Sequence, residues 1–152
     1  MSEHETLYKL HNDIGDKYVY FLLAASGTSI AFAVTQTQTA TLSWSKVPLA
    51  IAVICWALSF FAGCRHIQEW RNIVNQNYDY LRIRAGIHPE FPPAAAEIIK
   101  RFMDESAKSS GKWALWQFRS LIAGAFFYIL WHGVEMALRT PTTGIQLPLG
   151  YS

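Results

Sequence analysis

The chain has 152 residues, with 13 Lys and Arg against 11 Asp and Glu, for a formal net charge of +2. That balance lacks the basic footprint of a nucleic-acid binder, and the length is one domain's worth. Charged residues are 16% of the chain against a usual quarter, while Phe, Trp and Tyr reach 14%.

Mean hydropathy is only +0.12, so the charge must be clustered. Runs free of Asp, Glu, Lys and Arg extend for 28 residues between Lys17 and Lys46 and for 18 between Lys46 and Arg65, with 15 more between Arg119 and Glu135. About 20 mainly apolar residues cross the hydrocarbon of a bilayer. A soluble core helix keeps a polar face, yet Val47 to Cys64 offers only Ser59 as a clearly polar side chain. These runs predict an all-α integral membrane protein, with transmembrane helices over residues 18–36, 47–64 and 119–138. A cytoplasmic helical hairpin, 65–118, is expected between the second and third spans.

Leu7, Leu10 and Ile14 recur at helical spacing and predict a short amphipathic segment over 1–17, with Gly15 as its break before the membrane. The acids Glu3, Glu5, Asp13 and Asp16 are unlike the basic start of a secretory signal, so the first span is expected to stay as an anchor. Ala25, Ser29 and Ala33 are spaced four apart, as are Gly27 and Ala31. Such small-residue faces let helix backbones approach closely. Ala25, Gly27, Ser29 and Ala33 are therefore read as a packing surface, within the protomer or between protomers.

Residues 35–46 form a polar connection, and Pro48 suits the first turn of the second span. Nothing stops that helix at Cys64, because Arg65 to Arg84 contains no Gly or Pro. Phe60, Gly63, Ile67, Trp70, Val74, Asn77 and Leu81 continue a heptad-like seam that begins at Leu49, Val53 and Trp56. A helix over 47–84 is about 57 Å long at 1.5 Å per residue. The seam suits a homo-oligomer, with Asn77 setting register, or packing of the helix on its own chain. Cys55 and Cys64 are too far apart on one helix to bridge.

Proline restricts the residue before it, so the helix should end near Ala85, with residues 86–93 as a rigid loop. Ile98, Ile99, Phe102 and Met103 predict an amphipathic helix over 94–108, ended by Ser109, Ser110 and Gly111. It folds back on 65–84 as a hairpin or lies on the membrane surface, and its mixed charge favours the hairpin. Lys112, Trp113, Trp116 and Arg119 then mark a membrane interface. The uncharged tail after Arg139, residues 140–152, is expected to be extended.

Nine of the Lys and Arg lie within 65–119, against one in the 35–46 loop and one from residue 139 onward. By the positive-inside rule the N-terminus and the 65–118 region face the cytoplasm and the C-terminus faces outside. The expected location is the plasma (inner) membrane.

The order of a polar N-terminus, two close spans and a cytoplasmic helix resembles that of small bacterial membrane effectors. The likeness is architectural and covers about residues 1–108. The third span departs from the two-span pattern. What the resemblance implies is oligomerisation and permeabilisation of the membrane.

Ionisable side chains within a span are costly and mark candidate functional positions. His132 and Glu135 are the two here, three apart on the third helix, with Glu135 about 24 Å along it from Arg119. In a symmetric oligomer they would ring the outer mouth of a pore. Alternatively Glu135 pairs with Arg139 and His132 hydrogen-bonds a neighbouring helix. Arg82, Arg84, Lys100 and Arg101 are candidates for an anionic small molecule or a cytoplasmic protein partner. No serine sits in a nucleophile elbow, no glycine-rich phosphate loop is present, and no Cys/His spacing suggests a metal. The expected function is a homo-oligomeric channel or membrane-permeabilising effector gated through its cytoplasmic helices, without catalysis, metal or cofactor. The alternative is a non-catalytic anchor that docks a partner protein through the hairpin.

Overall fold

A computed structural model describes residues 3–38 and 43–139, with side chains from 14 to 38 and from 43 to 138. The described residues form helices α1 (Glu3–Thr37), α2 (Val47–Arg84) and α3 (Ala96–Arg139), with short 3-10 turns before α2 and α3. All three are long and apolar enough to cross a membrane. The expectation for the tail 140–152 lies outside the described residues, as do the side chains of Leu7, Leu10 and Arg139.

Two expected breaks are absent. α1 passes through Gly15 as unbroken helix, so no boundary separates a 1–17 segment from the first span. α3 likewise passes through Ser109, Ser110 and Gly111, joining the expected 94–108 helix and the third span into one rod. It is about 66 Å long at 44 residues. A glycine inside a helix costs only about 1 kcal/mol relative to alanine. At Ser110, buried against α2, packing outweighs that penalty. Divisions at 17/18 and 118/119 are therefore not helix boundaries.

α2 is continuous from Val47, with Pro48 in its first turn. It stops through Gly86 rather than through the proline beyond. Gly86 has φ +71°, a left-handed conformation that costs other residues a clash with Cβ. The Gly86 N–H donates to the Ile83 carbonyl at 3.0 Å and the Ile87 N–H to that of Arg82 at 3.1 Å. That pair of bonds is the Schellman cap. His88 Nδ1 then accepts the N–H groups of Glu90 and Phe91, each at 3.2 Å, and folds the loop. Pro93 opens the 3-10 turn leading into α3.

α3 packs along α2, whereas α1 packs chiefly on α2 and touches α3 little. Buried or half-buried positions advance in steps of three and four: Val19, Leu22, Ser26, Ile30, Ala33 on α1, and Leu49, Ala52, Trp56, Ser59, Gly63, His66 on α2. On α3 the sequence Ile99, Met103, Ser106, Ser110, Trp113, Gln117 continues to Gly124, Tyr128 and Trp131. This is the seam spacing of coiled-coil-like packing. The apolar core gathers at one end, from Ala33, Leu49, Ala52, Trp56 and Trp131. Tyr128 connects it, with ring centroids 6.2 Å from Phe32, 5.8 Å from Trp56 and 5.6 Å from Trp131. The Trp56 indole packs directly on α3 at Gly124, where an added Cβ would lie 2.5 Å from Trp56 Nε1.

Candidate functional site

The middle of the bundle holds buried polar side chains, of which the sequence marks only Ser59. Ser26, Ser59 and Gln117 are each 0% exposed and come from α1, α2 and α3 respectively. The Ser26 hydroxyl donates between the Leu22 carbonyl, 2.8 Å away, and Ser59 Oγ, 3.0 Å away. The Ser59 hydroxyl donates to the Gln117 backbone carbonyl at 2.8 Å. Gln117 Nε2 reaches the Val19 carbonyl at a long 3.5 Å, closing a circuit through all three helices. Gln117 Oε1 is buried without a partner. Gly63 makes room for the amide, since a Cβ there would stand 2.5 Å from Gln117 Nε2. Hydroxyls mid-helix in an apolar segment were the available signal. In Val47–Cys64 that signal is Ser59, but which neighbour it meets depends on packing.

One step further along, His66 Nδ1 lies 2.9 Å from both the carbonyl and the hydroxyl oxygen of Ser110. One tautomer donates to the carbonyl, and the other accepts from the hydroxyl. Asp16 and Trp70 line the same crevices as His66. The structure thus brings a serine, a histidine and an acid from three helices to one region. Ser110 sits within continuous α3, where backbone N–H groups bond along the helix. The His66–Ser110 contact ties α2 to α3. Among the described residues no group of three or more His, Cys, Asp or Glu converges as a metal site.

The sequence-derived candidates spread over several surfaces. His132 is exposed on α3, its ring stacked on Tyr128 at 6.5 Å and 7°. Glu135, three residues on, is half-buried and has an interaction partner. Of the small-residue set, Ala33 is in the core, while Ala25 and Ser29 line a crevice between α1 and α3. An added Cβ at Gly27 would meet nothing within 4 Å. The close α1–α2 contact instead runs through Ser26.

The expected seam divides. Leu49, Trp56 and Gly63 face the bundle, and Ile67 and Trp70 are half-buried. Phe60, Val74 and Leu81 are 44%, 54% and 55% exposed, and Asn77 is exposed too. Burial along α2 continues on the strip one residue earlier, at Ser59, Ile73, Tyr80 and Ile83, about 100° around the helix, and Ser59 meets α3 there. On α3, Ile99 and Met103 are half-buried while Ile98 and Phe102 are exposed. Arg82 lies over the Tyr78 ring at 5.5 Å. Arg84, Lys100 and Arg101 are exposed. Comparison with protein-family models, with curated proteins and with solved structures finds no match for this chain.

Proposed function

We propose that the chain is a multi-pass protein of the plasma (inner) membrane that works as a homo-oligomer, a channel or membrane-permeabilising effector gated through its cytoplasmic helices. The supporting observation is the second apolar stripe of α2. Phe60, Val74 and Leu81 stay exposed after α3 has taken the neighbouring strip. In this reading the helix leaves the bilayer near Arg65 and carries its stripe about 30 Å beyond, over the 20 residues to Arg84. Val74 and Leu81 then stand in water, where a second copy of the same stripe covers them as a coiled-coil seam. Exposed His132 is costly against lipid, and assembly would turn it toward a polar pathway. The N-terminus and the α2–α3 connection are cytoplasmic, the C-terminus is outside, and no catalysis is involved.

Sizing in mild detergent tests assembly, and ion flux in liposomes tests conduction. A discrete oligomer that releases ions is the expected result, and a monomer ends the proposal. The second reading is a non-catalytic anchor. Ile87, Phe91, Ile98 and Phe102, exposed around the α2–α3 connection, favour it as a docking tip, with Arg82, Arg84, Lys100 and Arg101 nearby for an acidic or anionic partner. An intact oligomer that passes no ions under any trigger selects that reading.

A further inference from the structure

Between α2 and α3 lies a cavity of about 500 Å³, within the ~300–1,000 Å³ typical of small-ligand sites. Its walls are apolar and aromatic: Leu58, Phe61 and Ala62 from α2, Trp113 and Trp116 from α3. Phe61 and Trp113 meet edge-to-face at 6.1 Å and shape one side. The ends differ. Ser120 and Leu58 lie toward the charge-free part of both helices, whereas Ser109 and Lys112 lie toward the charged part. Arg65 adds a second cation at that end, its guanidinium 5.7 Å from the centre of the Trp113 ring. The Glu69 carboxylate contacts Arg65 at 3.4 Å, and Gln68 accepts from it at 3.1 Å. Arginine has five N–H donors, so these two contacts leave others available. Among the described residues none pairs with the exposed Lys112 ammonium.

We propose that this cavity binds an anionic phospholipid, its acyl chain between Phe61, Trp113 and Trp116 and its phosphate at Lys112 and Arg65. The inference rests on the membrane reading above, which puts Trp113 and Trp116 at the cytoplasmic interface. Tryptophan is enriched at that level, and basic pockets between membrane helices on the cytoplasmic side hold anionic headgroups. Charge selects lipid over a second copy of the chain, because a two-fold contact here would bring two Lys112 and two Arg65 side chains together. An apolar slot ending in two cations also fits an amphiphile better than a small free anion.

Native mass spectrometry of the full chain, in mild detergent with equimolar phosphatidylglycerol and phosphatidylcholine of identical chains, tests the site. Wild type should retain phosphatidylglycerol preferentially, one per protomer. Lys112→Gln should lower that preference about fivefold, the effect of roughly one surface charge on an anionic lipid. Lys112→Arg should keep it, and Trp116→Ala should weaken retention of both lipids. Equal retention by wild type, or an unchanged preference in Lys112→Gln, overturns the proposal. So does displacement of the lipid by excess glycerol phosphate, which would mean that the site reads the anion alone. Alkaline carbonate extraction separates the two readings. A chain released from membranes ends both, while a chain retained without lipid preference ends this one only.

Discussion

The Ser59 hydroxyl donates to the Gln117 backbone carbonyl at 2.8 Å, joining α2 to α3 across 58 positions of sequence. Interhelical hydrogen bonds of this kind within membranes average about 0.6 kcal/mol and reach about 1.7. Ser59→Ala should therefore cost about that much in unfolding measurements in mixed micelles. Gln117→Leu should cost no more, because it also removes a buried amide oxygen that has no partner and carries a desolvation penalty. A loss of several kcal/mol in Gln117→Leu would mean that this oxygen is satisfied in the folded protein.

Gly124 tests the tightest apolar contact. An alanine there sets its Cβ 2.5 Å from both Cδ1 and Nε1 of Trp56, and overpacking of this sort costs about 1–3 kcal/mol. Trp56→Phe in the same chain should recover part of the loss, since the smaller ring vacates that space. Additive costs in the double mutant would contradict direct contact.

The α2 stop depends on Gly86, at φ +71°. Gly86→Ala should lower stability by about 1–2 kcal/mol, the cost of a left-handed L-residue. Gly86→Asn should cost less. Hydrogen exchange at the Ile87 amide, which caps the Arg82 carbonyl, should accelerate in the alanine variant, and unchanged protection would argue for a different helix end.

Cysteine pairs separate the two strips of α2. With Cys55 and Cys64 replaced, His66→Cys and Ser110→Cys should cross-link within one chain, since those side chains touch. In the same background Leu81→Cys alone should cross-link between chains in native membranes, because Leu81 stays 55% exposed within the protomer. Failure of the Leu81 link under conditions where the first pair forms would count against the stripe as an oligomer contact.

At the opposite end of α3, Glu135→Gln should alter cation preference or conductance in liposomes containing the assembled protein. His132→Ala should leave assembly intact, because the ring packs on Tyr128 of its own helix. Unaltered flux in both variants would remove these residues from any ion pathway.

The charge-free runs announced three long apolar helices from sequence alone, because a stretch such as Val47 to Cys64 has no polar face to give to water. The continuity of α2 past Cys64 was equally legible, since Arg65 to Arg84 contains no helix breaker. Gly15 and Gly111 looked like breaks and were not. One glycine costs about 1 kcal/mol, which leaves continuation open to the local context. Tertiary structure decided which strip of each helix is used. On α2, one residue of rotation distinguishes Ser59, Ile73 and Tyr80 from Phe60, Val74 and Leu81, and both strips are periodic enough to pack. α3 took the first because Ser59 meets the Gln117 carbonyl and His66 meets Ser110. The buried glutamine could not be read in advance, since its neighbours lie 58 and 98 positions away. Periodicity reports which faces can be buried, whereas only the contact between helices determines which one is.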